Sequence, residues 1–402
     1  LGYKTKEVDV TVRPGEHVTL SIQLREDALQ MDDVVVTATR TEHYVKQVPV
    51  KTEVIPAQQI ETRNASNLFQ ALEGIPGIQV QEQCQFCNFT SVRMQGLESQ
   101  YSQILINGLP VYSGLASVYG LQQLGTPNID RIEIVKGAGS ALYGSSAIAG
   151  AINIITKKPA IEPITTIDMQ LGKYNTNTYQ VTSSLRNEKG NVGAVVYAQR
   201  STGDPVDYTQ EGSPVKQKDG ISDRVSQNLT NGGASVFVED MFSQKDQLTI
   251  RGHFLSELRR GGVLTEDKFK NPFSEQSERI ITNRYVGELS YKTTFEDSSN
   301  LEVGGAYVRH KRNATNDAYL TDYTSIHQTS PPVSDLAPYL ADEHTFSGIA
   351  MYNKNMGNHH LLAGMQFSNS DFNESGKYLV LDEDSDHYGT SFSSVSNKLF
   401  SD

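Results

Sequence analysis

The feature that most constrains the fold of this chain is a change of pattern after Pro159. From there apolar and polar residues alternate in segments of roughly ten residues, separated by short turns. The stretch "ITTIDMQLGKYNTNTYQVTSSLRNEKGNVGAVVYAQRS" shows this pattern, with "GKYN" and "NEKGN" as the turns. Such alternation predicts antiparallel strands with one apolar and one polar face, which is typical of transmembrane β-barrels.

The connections between these segments differ in length. Further segments such as "DQLTIRGHFLSEL" and "HTFSGIAMYNKN" continue the alternation, and long polar inserts separate several of them at 203–228, 259–280, 312–342 and 371–389. Short turns at one end and long loops at the other are typical of outer-membrane barrels, and we expect roughly ten strands. A soluble β-sandwich or a propeller is the alternative, although no internal repeat supports a propeller.

Composition excludes some functions. The chain has 402 residues and a formal net charge of −12, with 35 basic and 47 acidic side chains, and no long basic block, which argues against a nucleic-acid partner. No window reaches 18 consecutive apolar residues, so no transmembrane helix is expected. The mean hydropathy of −0.43 is compatible with barrel strands, because only one face of each strand is apolar.

The remainder of the chain divides into three segments. Residues 1–28 alternate around "RPGEH" and predict the end of a small β-sandwich domain. Residues 29–47 form a linker that contains the β-branched run Val34 to Thr37, a strand without an obvious local partner whose open edge invites another chain to pair. Residues 48–159 predict a compact α+β domain, and residues 160–402 the first part of the barrel.

Helix and strand signals are clear within 48–159. "SNLFQALEGIPGI" predicts a helix with Ser66 as N-cap and Gly74 as its stop, while "YSQILING" and "DRIEIVKG" predict short strands that end in glycine turns. The glycine-rich block after Lys136 lacks the lysine of a phosphate-binding loop and the third glycine of a dinucleotide site. We therefore interpret its glycines as positions of tight turns and close backbone packing, followed by the buried strand "AINIIT".

Four motifs together resemble the plug domain and TonB box of TonB-dependent outer-membrane transporters. They are "DVVVTATR", "LFQALEGIPGIQV", "VRMQGLESQYSQILINGLPV" and "IDRIEIVKGAGSALYGSSAIAGAINIITKKP", in this order over residues 33–159. The resemblance implies a plug inside the lumen of a barrel of about 22 strands. Because ten strands cannot close around such a plug, we expect the barrel to continue past Asp402. The sequence begins at Leu1 without a charged n-region and an apolar h-region, so we expect any export signal to have been removed or to lie outside this sequence.

The resemblance also implies a function and partners. It implies active import, powered by TonB with ExbB and ExbD, of a scarce bulky nutrient across the outer membrane of a Gram-negative bacterium. The "QCQFCNFTSVRMQG" version of the plug is similar to Bacteroides-type members assigned to cobalamin uptake, and the sandwich end resembles the carboxypeptidase-regulatory-like domain of that lineage. A surface lipoprotein cap and outer-membrane lipid are further expected partners. Import of an iron-siderophore or haem, and a receptor that only binds, remain alternatives.

Specific residues receive roles from the resemblance. The TonB box comprises Asp33, Val34, Val35, Val36, Thr37 and Ala38. The plug apices at 82–90 and 107–120 offer aromatic and hydrogen-bonding groups to a ligand through Gln83, Gln85, Phe86, Asn88, Tyr112, Ser113, Ser117 and Tyr119. Arg93 and Arg131 are expected to be buried and paired with barrel carboxylates, which in the family tend to lie in later strands, beyond the end of this chain. Lys136 stands where the family commonly has arginine, which weakens bidentate pairing.

Cysteine, metal and catalytic signals are weak. Cys84 and Cys87 lie in a predicted loop, where an exported protein favours a disulfide; free thiols and a soft-metal contact near Met94 are the alternatives. Acid-rich stretches such as "LDEDSDH" could hold structural calcium in outer loops, although solvated surface loops are the better explanation. No cofactor is expected, and the absence of a triad or paired-carboxylate pattern predicts that the chain is not an enzyme.

Overall fold

The computed structural model consists of a short hairpin, an α+β domain and a large antiparallel sheet. It describes residues 10–11, 15, 19, 35–36, 43–44, 52–83, 89–110, 115–137, 143, 147–207, 220–243, 245–262, 264, 277–314, 317–332, 339–357 and 359–401. The predicted sandwich end at 1–28 therefore lies almost entirely outside the described residues.

The hairpin joins strands β1 (Val35–Val36) and β2 (His43–Tyr44). The two strands pair antiparallel, with Val35 opposite Tyr44 and Val36 opposite His43. The expectation that the β-branched run has no local partner is therefore wrong. The pairing covers two residues of each strand, so it is short even by the standards of small hairpins.

The α+β domain, which we call the plug, comprises six strands and three α-helices. Their bounds are β3 (Thr52–Pro56), α1 (Ala57–Thr62), α2 (Leu68–Leu72), β4 (Ile78–Gln83), β5 (Phe89–Met94), β6 (Ser102–Ile106), α3 (Ala116–Gln123), β7 (Ile129–Lys136) and β8 (Gly150–Thr156). Four strands form a sheet in the order β3-β7-β8-β6, in which β6 and β8 are parallel. β4 and β5 form a separate hairpin.

Helix α2 begins one residue later than the sequence predicts. Asn67, not Ser66, is the N-cap, and its side-chain oxygen accepts a hydrogen bond from the Gln70 backbone at 3.0 Å. The Gln70 side chain in turn accepts hydrogen bonds from the Ser66 backbone N–H at 2.8 Å and from its hydroxyl at 3.0 Å. This reciprocal arrangement satisfies donors that a helix N-terminus leaves open.

The plug core lies between its sheet and its helices. Ile132, Ile134 and Ile152 are fully buried, and they pack with Leu68 and Leu72 of α2. Burial of such side chains contributes about 1.5–3 kcal/mol each relative to exposure. The predicted short strand "DRIEIVKG" and the predicted buried strand "AINIIT" thus form the centre of the domain.

Gly150 shows why the glycine-rich block needs glycine. Its φ is +142°, and a Cβ placed there would lie 2.1 Å from the carbonyl oxygen of Val135 on the neighbouring strand. The interpretation of close backbone packing is confirmed at this position. Gly139 and Gly144, which belong to the same prediction, lie outside the described residues.

The large sheet contains ten strands within the described ranges, in simple sequential order. They are β9 (Ile164–Leu171), β10 (Asn177–Arg186), β11 (Val192–Gly203), β12 (Ser226–Glu239), β13 (Asp246–Gly262), β14 (Ser277–Thr294), β15 (Asn300–Ala314), β16 (Tyr339–Met356), β17 (His359–Leu379) and β18 (Ser391–Ser401). Every neighbouring pair is antiparallel. The predicted number of strands is confirmed.

Most connections alternate in length around the sheet. Short connections at 187–191, 240–245, 295–299 and 357–358 lie at one end, and long ones at 204–225, 263–276, 315–338 and 380–390 lie at the other, together with the short first connection at 172–176. Two predicted inserts need correction. β17 continues to Leu379, which shortens the 371–389 insert, and the 312–342 insert contains a helix, α4 (Asp317–His327), which the sequence did not predict.

The two faces of the sheet have different side chains, as the alternation predicts. On β13, Leu255 and Glu257 are buried on the face that lies against the plug, which we call the lumen face. Ile250 and Phe254 point to the opposite outer face, where they are 50% and 45% exposed. The outer face carries further exposed apolar side chains: Ile167, Met169, Val181, Val196, Val236, Tyr285, Leu289, Val303, Phe346, Met365 and Phe367.

No α-helix among the residues that the structure describes is both long and apolar enough to cross a membrane.

A short connection shows how the hairpins are closed. In the 295–299 turn, the Asp297 carboxylate accepts a hydrogen bond from the Ser299 backbone N–H at 3.0 Å and forms an ion pair with Lys354 at 2.9 Å. The Ser299 hydroxyl also donates to Asp297. The hydrogen bonds from Ser299 and Lys354 hold the pKa of the Asp297 carboxyl well below its usual range.

Gly150→Ala is expected to destabilise the plug by about 2–4 kcal/mol, because the added methyl group meets the Val135 carbonyl and alanine is strained at this φ. Hydrogen exchange of the β7 and β8 amides in the intact protein measures the effect as faster exchange. Gly252→Ala is the control, since a Cβ at that outer-face position meets nothing within 4 Å. Equal exchange in both variants would contradict the packing argument.

Candidate functional site

The plug lies against the lumen face of the sheet, and part of the contact is apolar. Leu109, in the turn that follows β6, is buried in a cluster supplied by three barrel strands. Its partners are Val286, Ala306, Val308 and Ile349. This cluster fixes the turn after β6 on the barrel wall.

Most of the other recorded contacts are polar and involve plug backbone groups. The Ser66 carbonyl accepts hydrogen bonds from the side-chain amides of Gln199 at 3.2 Å and Gln180 at 3.4 Å. At Gly125 the plug backbone approaches the wall so closely that a Cβ would lie 1.7 Å from the Gln199 side-chain oxygen. Gln180 and Gln199 therefore contact the plug backbone directly, and Gly125 permits this approach because it has no side chain.

The C-terminal end of α3 is held by a buried carboxylate of the barrel. The Gln123 side chain donates to Glu257 at 2.8 Å, and Arg259 pairs with the same carboxylate at 3.1 Å. The three side chains are at most 3% exposed. A buried carboxylate needs such partners. Removing Gln123 or Arg259 would leave part of the Glu257 carboxylate buried without a hydrogen bond, which costs folding free energy.

The N-terminal end of α3 is held in a similar way. The Leu115 backbone N–H donates to the Glu343 carboxylate at 3.0 Å, and the Leu115 carbonyl accepts from Arg312 at 2.7 Å. Leu115, the N-cap residue, makes no side-chain capping hydrogen bond of its own. A carboxylate at a helix N-terminus is electrostatically favourable, so Glu343 of the barrel provides a group that a leucine cannot.

A cavity of about 60 Å³ remains between the plug and the wall. Its lining combines Ile129 and Ile154 of the plug with Tyr197, His253 and Arg284 of the barrel. Because the lining is polar on the barrel side and the volume exceeds that of one water molecule, the cavity is suited to buried water. The interface therefore combines direct hydrogen bonds with room for solvent.

The strand that follows the hairpin is fastened inside the plug. The Lys136 ammonium at the end of β7 contacts the Glu53 carboxylate on β3 and the Pro76 carbonyl after α2. The Lys136 side chain is 4% exposed. One buried cation thus connects the first plug strand with two later parts of the domain.

The family comparison identifies this architecture. Residues 45–151 match the model of the TonB-dependent Receptor Plug Domain. The chain therefore carries a TonB-dependent receptor plug domain. Its large antiparallel sheet is the corresponding barrel, and the plug lies on the lumen side of that sheet.

Individual TonB-dependent receptors show how far the similarity extends. The chain is 38% identical over 125 residues to a vitamin B12 transporter, BtuB, of Vibrio vulnificus, and 30% identical over 178 residues to that of Vibrio cholerae. These alignments cover 31% and 44% of this chain, but only 20% and 29% of the two transporters. The ferripyoverdine receptor of the Pseudomonas aeruginosa outer membrane matches with a TM-score of 0.65 at 15% identity, over 94% of this chain and 51% of that receptor.

Among the described residues, the two predicted plug arginines pair with other plug residues. Arg131 pairs with Asp130 at 2.9 Å and Glu133 at 2.8 Å, and Arg93 lies 3.9 Å from Glu98. The Arg93 side chain is 38% exposed on the surface of the β4–β5 hairpin. Pairing of Arg93 and Arg131 with carboxylates of later barrel strands stays a prediction, because those strands are expected beyond Asp402.

The other predicted site residues are described only in part. Val35 and Val36 lie on β1, Gln83 ends β4, and Ser117 and Tyr119 lie on α3; only their backbone is described. The segment 116–120 is therefore helix rather than the predicted loop. The remaining predicted residues lie outside the described residues: Asp33, Val34, Thr37, Ala38, Cys84, Gln85, Phe86, Cys87, Asn88, Tyr112 and Ser113.

The described ranges contain no group of three or more histidine, cysteine, aspartate or glutamate side chains that could hold a metal ion. Calcium in the outer loops stays a prediction, since several acid-rich stretches fall partly outside these ranges.

The residues that hold α3 were missed at the level of sequence. Glu257, Arg312 and Glu343 lie at lumen-facing positions of strands in which apolar and polar residues alternate. Charged residues at such positions are a signal of lumen contacts. The signal indicates the face but not the partner. Leu115 and Glu343 are separated by 228 positions in the chain, so no local pattern connects them.

Glu343→Ala is expected to loosen α3, because the buried Leu115 N–H loses its acceptor at a cost of about 1–3 kcal/mol. Hydrogen exchange over Ala116–Gln123 should accelerate about 10- to 100-fold in the intact receptor. Glu374→Ala is the matched control, a neighbouring barrel carboxylate that contacts Tyr339 and Lys398 instead. Unchanged exchange in the Glu343 variant would show that the carboxylate does not hold the helix.

Proposed function

We propose that this receptor imports a corrinoid such as cobalamin across the outer membrane of a Gram-negative bacterium, with energy supplied through TonB. The observation that carries the substrate class is the 38% identity over 125 residues with a named vitamin B12 transporter. The ferripyoverdine receptor resembles the chain in fold at 15% identity, which supports the architecture and not its ligand. Import of an iron-siderophore or haem is the second candidate.

The geometry supports an energised mechanism. The plug is held to the lumen face at both ends of α3, at Ser66 and at Leu109, so a bulky solute cannot pass between the plug and these strands while the contacts hold. Several hydrogen bonds of about 0.5–1.5 kcal/mol each, together with the Leu109 cluster, must then be displaced. A pull on the segment ahead of β3 supplies that work.

The hairpin ahead of the plug is suited to receive such a pull. β1 pairs with β2 on one edge, and an extended strand of TonB can add to the edge of β1 or replace β2, because their pairing covers only two residues. ExbB and ExbD are the partners expected to energise TonB, and a surface lipoprotein is the partner expected above the barrel. The first plug strand beyond the hairpin is β3, which Lys136 and Glu53 connect to the plug interior.

Replacing Asp33 to Thr39 with a flexible Gly/Ser segment of equal length is expected to abolish energised uptake and to leave ligand binding at the surface unchanged. The equal length preserves the tether and removes only the strand, because Gly/Ser chains are flexible and pair poorly. Uptake of radiolabelled ligand by energised cells, together with binding to de-energised cells, measures both properties. Loss of both properties, or of neither, would contradict the role of this segment.

The substrate class is tested by binding. The complete purified receptor is expected to bind cobalamin more tightly than haem and a ferric siderophore by at least about tenfold, which corresponds to 1.4 kcal/mol. Fluorescence quenching or calorimetry with the three ligands measures the order. Tighter binding of the siderophore or haem would replace the corrinoid with the second candidate and would leave the energised mechanism in place.

A further inference from the structure

The plug strand that follows the hairpin in the chain lies at the edge of its sheet. β3 is the outermost strand in the order β3-β7-β8-β6, and its ladder with β7 runs from Thr52 opposite Val135 to Pro56 opposite Arg131. The segment 45–51 joins the hairpin to Thr52. A pull on the hairpin therefore reaches the Thr52 end of β3 first and separates the strand from β7 one residue pair at a time.

An ion pair lies at this pulled end. Glu53 is opposite Ile134, two positions before Lys136, so Glu53 and Lys136 are diagonal neighbours on one face of the ladder, within reach of long side chains. The Lys136 ammonium contacts the Glu53 carboxylate, and the two side chains are 4% and 29% exposed. The buried apolar residue of β3, Ile55, lies further along the strand. The ion pair is therefore loaded before the apolar core.

The same ammonium connects β3 with α2. It donates to the Pro76 carbonyl in the turn between α2 and β4, and its aliphatic stem lies beside Gly77, where a Cβ would be 3.9 Å from the Lys136 Cδ. At the other end of α2, the Leu68 backbone N–H donates to the Leu124 carbonyl at the end of α3, at 2.8 Å. A load on β3 is therefore shared with α2 and α3 while Lys136 keeps both contacts.

Separating this pair costs more than separating an exposed one. Movement of Glu53 away from β7 leaves the buried Lys136 ammonium without its counter-charge, and a buried charge that loses its partner is strongly destabilising. The pairs of Arg131 with Asp130 and Glu133 lie within β7 itself, so separation of the two strands does not break them. The contact between Glu53 and Lys136 thus adds a barrier that is specific to the release of β3.

We propose that the Glu53–Lys136 pair is a clasp that keeps the plug closed at rest, and that its rupture under a pull on the hairpin is the first step of plug opening. Thermal motion alone rarely separates the pair, whereas a sustained pull concentrates the load on it. After rupture, the remaining residue pairs of β3 and β7 separate in turn. The proposal rests on the energised mechanism of the proposed function and not on which nutrient is transported.

Pulling from two points tests the clasp. The complete receptor is held by its barrel in magnetic tweezers and loaded at constant force through a bioorthogonal handle, placed either at Gln47 ahead of β3 or at Glu61, an exposed residue of α1. The first handle loads the Thr52 end of the ladder, and the second loads the Pro56 end, which lies opposite to Lys136. The lifetime of the first opening step is measured in each geometry.

Lys136→Met keeps the aliphatic stem and removes the charge. With the handle at Gln47 it should shorten the lifetime of the first step about tenfold or more, because a hydrogen-bonded charge pair no longer resists the force. Glu53→Gln should act in the same direction, and Lys136→Arg, which keeps the charge, should restore the lifetime. With the handle at Glu61, Lys136→Met should leave the lifetime of the first step unchanged.

Arg63→Met is the matched control. Arg63 also donates to a backbone carbonyl at the end of α2, that of Glu73 at 2.8 Å, in a contact that does not involve β3. Its lifetime with the handle at Gln47 should equal that of the unmodified receptor. Hydrogen exchange of the β8 amides establishes that the plug of each variant is folded.

Three outcomes would overturn the clasp. They are an unchanged lifetime in Lys136→Met with the handle at Gln47, an equal shortening with both handles, which indicates a general loss of plug stability, and a failure of Lys136→Arg to restore the lifetime. The pulling experiment requires neither TonB nor a ligand. Energised uptake of cobalamin by the unmodified receptor therefore reports on the proposed function separately.

Discussion

The position of the plug against the barrel depends on one constraint, which is that polar groups buried at their contact need hydrogen-bond partners. Where α3 meets the barrel, water is excluded, so the Leu115 N–H, its carbonyl and the Gln123 amide require hydrogen bonds. Glu343, Arg312 and Glu257 supply them from three strands of the wall. Because an unsatisfied buried donor costs more than a satisfied one contributes, these contacts fix the position of the plug more than they stabilise it.

This balance separates the inside of the plug from its boundary. Within the plug, isoleucines of β7 and β8 are fully buried, and their removal from the core is costly. At the boundary, many contacts are hydrogen bonds that water can replace, beside a cavity with a polar wall. A pulling force therefore meets less resistance in moving α3 and Ser66 away from the wall than in separating β7 from β8. The resistance to pulling the edge strand β3 away from β7 lies between these two cases, because the buried Lys136 adds an ion pair to their hydrogen bonds.

Sequence reasoning succeeded where the physical cause is local. The strands of the barrel, the short turns and the buried strand after Gly150 follow from alternation, turn residues and packing limits within a few positions of each other. It was wrong on Ser66 as the cap of α2, because a neighbouring asparagine competes for the same role. It missed α4 and the contacts of α3. The contacts of α3 depend on residues far apart in the chain. The partners recorded for Arg131 lie two positions or fewer away, and its pairing with later barrel strands stays a prediction.

The two faces of one strand also explain where charge is tolerated. On β13, Glu257 and Arg259 point inward and neutralise each other beside the plug, while Ile250 and Phe254 point outward nearer the short turns. An outward charge among these apolar side chains would face hydrocarbon, which is costly in proportion to its depth. Outward cations lie on either side of this level, Arg260 towards the long connections and Lys354 beside the short 295–299 turn. The period of two in the sequence therefore fixes the face of the sheet on which a charged residue lies. The distance of that residue from the short turns determines whether its surroundings are polar or apolar.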